Sequence, residues 1–256
     1  MNQEQLRQII EVCLWAGALL LQNGANAHRV EKDVHRLGTA LGCEELDILV
    51  SPNAVVITVI HGAEYRTKIR RVSHYGVNLT IVSGVNRVSR RAAQGELDLA
   101  GVQAELTRIS GIGWHYNRWV VVVLVGLACA AFSQLMGGSL TIFFVVWLAS
   151  STAMFVRQEL TKHGILPLIT VTITAFVAAL IASSVSIWRL SPQPEIALAA
   201  AVLLLVPGVP LINSAADLLE GYIVTGMTRG MMGALISMAI ALGLLLAIRL
   251  TGIHGL

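Results

Sequence analysis

Charge is scarce in the second half of this sequence. Residues 119–256 carry five Lys/Arg and four Asp/Glu, against 13 and 11 in residues 1–118. Cysteine is rarer still. Cys13, Cys43 and Cys129 are too far apart for a zinc cluster or a redox pair, so reduced, buried thiols are expected. Aromatic residues make up only 5%, and no aromatic residues interleave with the basic run Lys68, Arg70, Arg71, Arg87, Arg90 and Arg91. Nucleic-acid binding is therefore not expected, and those charges read as a solvated or lipid-facing surface. The sequence also lacks a phosphate loop, a nucleophile elbow, a paired-carboxylate arrangement, a low-complexity segment and a long linker. An enzyme, a cofactor and a resident metal are not expected.

What is abundant is apolar sequence. Hydrophobic residues make up 55%, and mean hydropathy is +0.71, which defines an integral membrane protein. Five runs are long enough to cross a hydrocarbon core of about 20 helical residues: Trp119–Met136, Ser139–Val156, Ile165–Trp188, Ile196–Ala216 and Met231–Leu250. Small residues such as Gly126, Ser150, Ser151, Gly233 and Gly243 suit close helix packing in lipid. Basic residues near the span ends favour a cytoplasmic N-terminus: Arg108, Arg118, Arg157, Lys162 and Arg229 fall inside, Arg189 and Arg249 outside.

Residues 1–118 read as a cytoplasmic α+β domain, and residues 119–256 as a five-helix transmembrane bundle. The first segment has an apolar stretch, Val12–Leu21, followed by Ala25-Asn26-Ala27, and so superficially resembles a signal peptide. Its three/four spacing and flanking Glu4 and Glu11 instead indicate a folded helix ending near Gly24. A second helix is expected from an Asn26 cap to Gly42. Strands follow from period-two alternation at 46–50, 55–59, 65–69 and 77–81, with turns at Ser51-Pro52-Asn53 and His61-Gly62. Helices resume at 85–93 and 98–109. His28, Glu31 and His35 share a side of the second helix, but the histidines are seven apart rather than at the i, i+4 spacing of a zinc helix, so a solvated polar face is the favoured reading.

The fourth apolar run is broken by Val206-Pro207-Gly208-Val209-Pro210 and then meets Asn213 and Asp217. A proline in a helix removes a backbone donor, and in lipid the freed carbonyls need protein or a wet cavity around them. An aspartate there costs about 2.5–3.5 kcal/mol at a helix centre. Such breaks hold substrates and ions in transporters. Pro207, Gly208, Pro210, Asn213 and Asp217, with Arg157 and Ser151 on the second span, are therefore the candidate substrate-binding or proton-coupling residues. The second helical piece is expected to begin near Leu211. A kinked packing helix is the structural alternative. A membrane-anchored sensor or regulatory subunit is the functional one.

Three stretches carry a family likeness: Leu20-Leu21-Gln22-Asn23-Gly24-Ala25 through Arg29-Val30-Glu31; Ser51-Pro52-Asn53-Ala54; and Val206 to Asn213 with Asp217-Leu218-Leu219-Glu220-Gly221. On these, the whole chain resembles the bacterial threonine/serine exporter family in its divided, two-subunit form. The resemblance implies an inner-membrane, multi-pass exporter subunit in the lipid bilayer, acting with a smaller multi-span membrane subunit of the YjjB type. It also implies a small carboxylate substrate, succinate, or in single-chain relatives threonine and serine. The residues alone pull the other way, because Asp217 suits the ammonium group of an amino acid.

Overall fold

The computed structural model describes residues 3–61, 64–72, 76–112 and 116–252. Chain contacts divide it into two compact units. The first comprises Met1–His115 with Gly208–Met231, and the second Tyr116–Pro207 with Met232–Leu256.

The first unit is built around α1 (Gln3–Gln22). From residue 12 to 21 its side chains are buried on nearly all sides, which is why the segment reads as a continuous apolar stretch. Gly24, at φ +92°, ends the turn after it, a left-handed conformation that glycine adopts without a Cβ clash. Helix α2 (Ala27–Ala40) starts at Asn26, whose side chain accepts from the Arg29 amide. Three antiparallel strands follow, β1 (Glu45–Ser51), β2 (Ala54–His61) and β3 (Glu64–Arg71), in the order β1-β2-β3. Register pairs Ile48 with Ile57 and Ile57 with Lys68, so Val55, Ile57 and Val59 share one face and are fully buried. Gly17 lets α1 close on α2 and β2; a Cβ there would lie 3.2 Å from Val34 and 3.3 Å from Val55.

A fourth strand at 77–81 is not formed. Asn78 instead caps α3 (Leu79–Ala93) by accepting from the Thr80 and Ile81 amides. The alternation of Val77, Leu79 and Ile81 was a coincidence at a helix start. The expected turn at His61-Gly62 lies partly outside the described residues. Helix α4 (Leu99–Ser110) begins at Asp98, which accepts from Gly101. Between α2 and α3, buried Asp33 accepts from Arg36, Asn86 and Ser89. Asp33→Ala strands these donors, and is expected to destabilise the unit by about 2–3 kcal/mol, read as a lower denaturant midpoint.

Burial pushes the Cys13 thiol up, and the Cys43 thiol up to about 11. A thiol of that pKa is roughly one-thousandth thiolate at pH 8. Maleimide labelling of these two positions should therefore be slow until denaturant is added.

The second unit holds α5 (Arg118–Leu135), α6 (Leu140–Lys162), α7 (Pro167–Ala182), short α8 (Ser184–Ile187), α9 (Pro194–Ala201) and a 3-10 turn (Leu203–Leu205). Residues 232–251 of α11 (Ile223–Thr251) complete it. Its core is rich in alanine (Ala130, Ala149, Ala153, Ala175, Ala178, Ala179), which brings helix backbones close. Gly126 on α5 is the tightest approach: a Cβ there would run into Ser151 Oγ and lie 2.9 Å from the Trp147 carbonyl. Gly126→Val is expected to cost about 1–3 kcal/mol by overpacking, seen as a lower unfolding temperature in detergent.

Helices α5, α6, α7 with α8, and α11 are long and apolar enough to cross a membrane, with mean hydropathies of 1.7 to 2.4. In three of the four, only 28% of the most apolar stretch is buried within the protein. Leu135, Leu140, Phe144, Leu148, Met238 and Leu250 stand exposed. An apolar exterior of this extent calls for lipid rather than water. A fifth span exists if α9 and its 3-10 turn are counted with α10 (Gly208–Leu219) as one broken span. Two ends differ from expectation. Helix α6 runs on to Lys162, so Arg157 lies inside the helix rather than closing it, and α11 begins eight residues before Met231.

Candidate functional site

The break is where the sequence places it. Val206 is extended (φ −58°, ψ 124°), as a residue before proline must be. The second piece, α10, starts at Gly208 rather than Leu211. Pro210 thus sits in the first turn, where its missing N–H costs no helical bond. The boundary between the two units falls between Pro207 and Gly208, and the candidate residues accordingly form two groups.

In the second unit, the end of α9 and the 3-10 turn leave carbonyls open, and α6 supplies their donors. Ser150 Oγ donates to the Ala201 carbonyl at 3.2 Å, and Arg157 Nη1 to the Leu204 carbonyl at 3.2 Å. Among the described residues, that is the one hydrogen bond of the Arg157 guanidinium, and none of their carboxylates lies within ion-pair reach of it. Guanidinium has five N–H donors and stays charged, so most of its binding capacity is uncommitted. Elsewhere on α6, Ser151 Oγ, Trp147 Nε1 and Gln158 Oε1 are buried without a hydrogen-bond partner among the described residues. Residues 147, 151 and 158 fall on one face of α6 by helical spacing. Buried polar atoms are normally satisfied, and these three are exceptions.

In the first unit, α10 and the start of α11 hold the turn between α1 and α2. Asp217 is fully buried. One carboxylate oxygen accepts from the Ala27 amide at 2.7 Å, and the other from Arg229 Nη1 at 2.7 Å. Arg229 Nη2 also donates to the Ala25 carbonyl, and Asn213 Nδ2 to the Gly24 carbonyl at 2.8 Å. Asn26 donates to Glu220, the Tyr222 hydroxyl to Glu31, and Thr225 Oγ1 to the Val50 carbonyl. Burial, then the bond to the Glu31 carboxylate, pushes the Tyr222 phenol up. Ala27 begins α2, so Asp217 also meets the positive end of that helix. Asp217 is neutralised within the protein.

Asn213 and Asp217, named from the sequence as candidates, are four apart on α10, and both reach the α1–α2 turn. Sequence reasoning did not single out Tyr222 or Thr225, and it placed Arg229 on the inner side without naming Asp217 as its partner. The available signal was Arg229 itself, a cation twelve residues beyond a lone acid in an apolar half. Two of the stretches that carry the family likeness meet here, 20–31 and 208–221, and Val50, just before the third, accepts from Thr225.

Broken membrane helices of this kind are a feature of transport proteins. A family profile described as "Putative threonine/serine exporter" matches residues 11–251, and the chain belongs to that family. It is 36% identical over 256 residues (100% of this chain, 99% of the relative) to a protein of Escherichia coli strain K12 named "Probable succinate transporter subunit YjjP". It is 37% identical over 255 residues (99% and 98%) to a Klebsiella aerogenes protein of the same name. An uncharacterized Haemophilus influenzae protein shares 35% identity over 138 residues, 54% of this chain and 46% of that one. No solved structure matches.

Proposed function

We propose that this chain is one subunit of a heteromeric inner-membrane exporter of small carboxylates, with succinate as substrate. Its partner is a second, smaller multi-span membrane subunit of the YjjB type, and its N-terminal half is cytoplasmic. The observation that carries the reading is Arg157. It is a part-buried cation on a membrane helix with no acidic partner among the described residues, bonded to the Leu204 carbonyl just before the break at Pro207. A dicarboxylate needs such a cation, and charge-assisted bonds to carboxylate are the strong ones. Asp217 is already matched by Arg229 and the Ala27 amide, which removes the argument for an ammonium-bearing substrate. In this reading Arg157 meets the substrate, and Ser151 lies where α6 packs on Gly126 of α5. Asn213 and Asp217 hold α10 on the α1–α2 turn, and Pro207, Gly208 and Pro210 permit the break. The names of the E. coli and K. aerogenes relatives support the same substrate.

The test is efflux of labelled succinate and labelled threonine from cells co-expressing this chain with the smaller subunit. Succinate efflux that requires both proteins is expected. Threonine efflux alone would instead favour the amino-acid reading, to which the family description points. Reporter fusions at residues 112 and 252 are expected to place the first inside and the second outside.

A further inference from the structure

One face of the sheet in the first unit packs on the core through Val55, Ile57 and Val59. The other face should be polar if it met only water, and it is not. Register sets Leu49, Val56 and Ile69 side by side across β1, β2 and β3. Leu49 is 65% exposed and Ile69 67%, and Tyr65, paired with Ile60, is 78% exposed. A contiguous apolar patch rimmed by polar residues marks an interaction site. Charge is sorted by strand. Strand β1 carries Glu45 and Asp47 at one edge of the sheet, and β3 carries Arg66, Arg70 and Arg71 at the other. None of these five makes an ion pair among the described residues. The outward face alone holds Glu45 and Asp47 against Arg71, two acids to one base, which disfavours anionic lipid as the occupant.

We propose that this outward sheet face is a twofold interface with a second copy of the chain. Next to the apolar row, Asp47, Thr58 and Thr67 form one row, and Glu45, Ile60 and Tyr65 the one after. A twofold axis parallel to the strands and over β2 stacks every row on itself, with β1 of one copy over β3 of the other. Leu49 then meets Ile69, and Val56 meets its own copy. Asp47 faces the Thr67 hydroxyl and Glu45 the Tyr65 hydroxyl, so acceptors meet donors. The acidic edge of each copy lies over the basic edge of the other. An axis across the strands does the reverse: it lays the apolar row on the threonine row and acidic β1 on acidic β1. The face is thus self-complementary in the way an isologous dimer requires, and aligned sheets pack about 10 Å apart. The proposal does not depend on the export reading.

The test is the protein mass per particle of the purified full-length chain in detergent, by light scattering over a series of concentrations. Two chains per particle are expected for the wild type. Thr67→Asp, at an exposed position, sets a carboxylate against Asp47 of the other copy; self-association is expected to weaken at least about tenfold. Adding Asp47→Lys, also exposed, turns both repulsions into opposite-charge pairs and is expected to restore two chains per particle. Both variants lose the bond between the Thr58 and Thr67 hydroxyls, so a local folding defect does not produce the difference between them. The proposal is overturned if the wild type is a single chain at every concentration, if Thr67→Asp associates as tightly as the wild type, or if the double variant associates no better than the single one. Loss of the smaller subunit from purified Thr67→Asp, with self-association retained, would assign the face to that subunit and overturn the proposal as well.

Discussion

Arg157→Ala is expected to reduce succinate efflux by about 100-fold while leaving the amount of protein in the membrane unchanged. A hydrogen bond to a charged group contributes about 1.5–3 kcal/mol, and 2.7 kcal/mol is two factors of ten. The side chain makes one bond, to the Leu204 carbonyl, and no ion pair among the described residues, so its removal breaks little structure. Arg157→Lys keeps the charge but loses the planar fork, and an intermediate efflux is expected. Efflux assays normalised to membrane abundance measure both. Ser151→Ala is expected to have a smaller effect, because its Oγ contributes no bond to the fold.

Asp217→Ala is expected to act by a different route, through stability. It leaves Arg229 and the Ala27 amide without their partner in a buried place. Breaking a buried pair from one side costs about 3–5 kcal/mol. The purified variant should unfold at markedly lower denaturant. Replacing both members, Asp217→Leu with Arg229→Met, removes the stranded charge, and should restore part of the loss. Equal destabilisation by the single and the double variant would show that the pair does not act as one. Asp217→Asn keeps an acceptor for Ala27 and falls between. An efflux defect in any of these variants is expected to track the loss of folded protein, unlike that of Arg157→Ala.

The helix caps were legible in the sequence, because Asn26 and Asp98 satisfy amide groups that lie next to them in the chain. The break at Pro207 was legible for the same reason: proline imposes its geometry locally. The segment at 77–81 misled because three apolar residues alternate by chance, while Asn78 decides the matter by capping the helix. Membership of α10 in the first unit was hidden. Leu211, Ile212, Leu218 and Leu219 look like span residues, and only the partners of Asn213 and Asp217, some 190 residues away, draw the segment to the α1–α2 turn. Arg229 was read as an interfacial anchor because its partner depends on tertiary structure. The open state of Arg157 was equally hidden, since a sequence does not tell which charges find a counter-ion.

Everything turns on whether the second unit's cation is what holds the cargo. The direct measurement is equilibrium binding of labelled succinate and labelled threonine to the purified two-subunit complex, with the wild type and Arg157→Gln side by side. Succinate binding that is present in the wild type and lost in the variant, with no competition by threonine, is the predicted result. Succinate bound equally well by Arg157→Gln, or displaced by threonine in the wild type, would contradict the account.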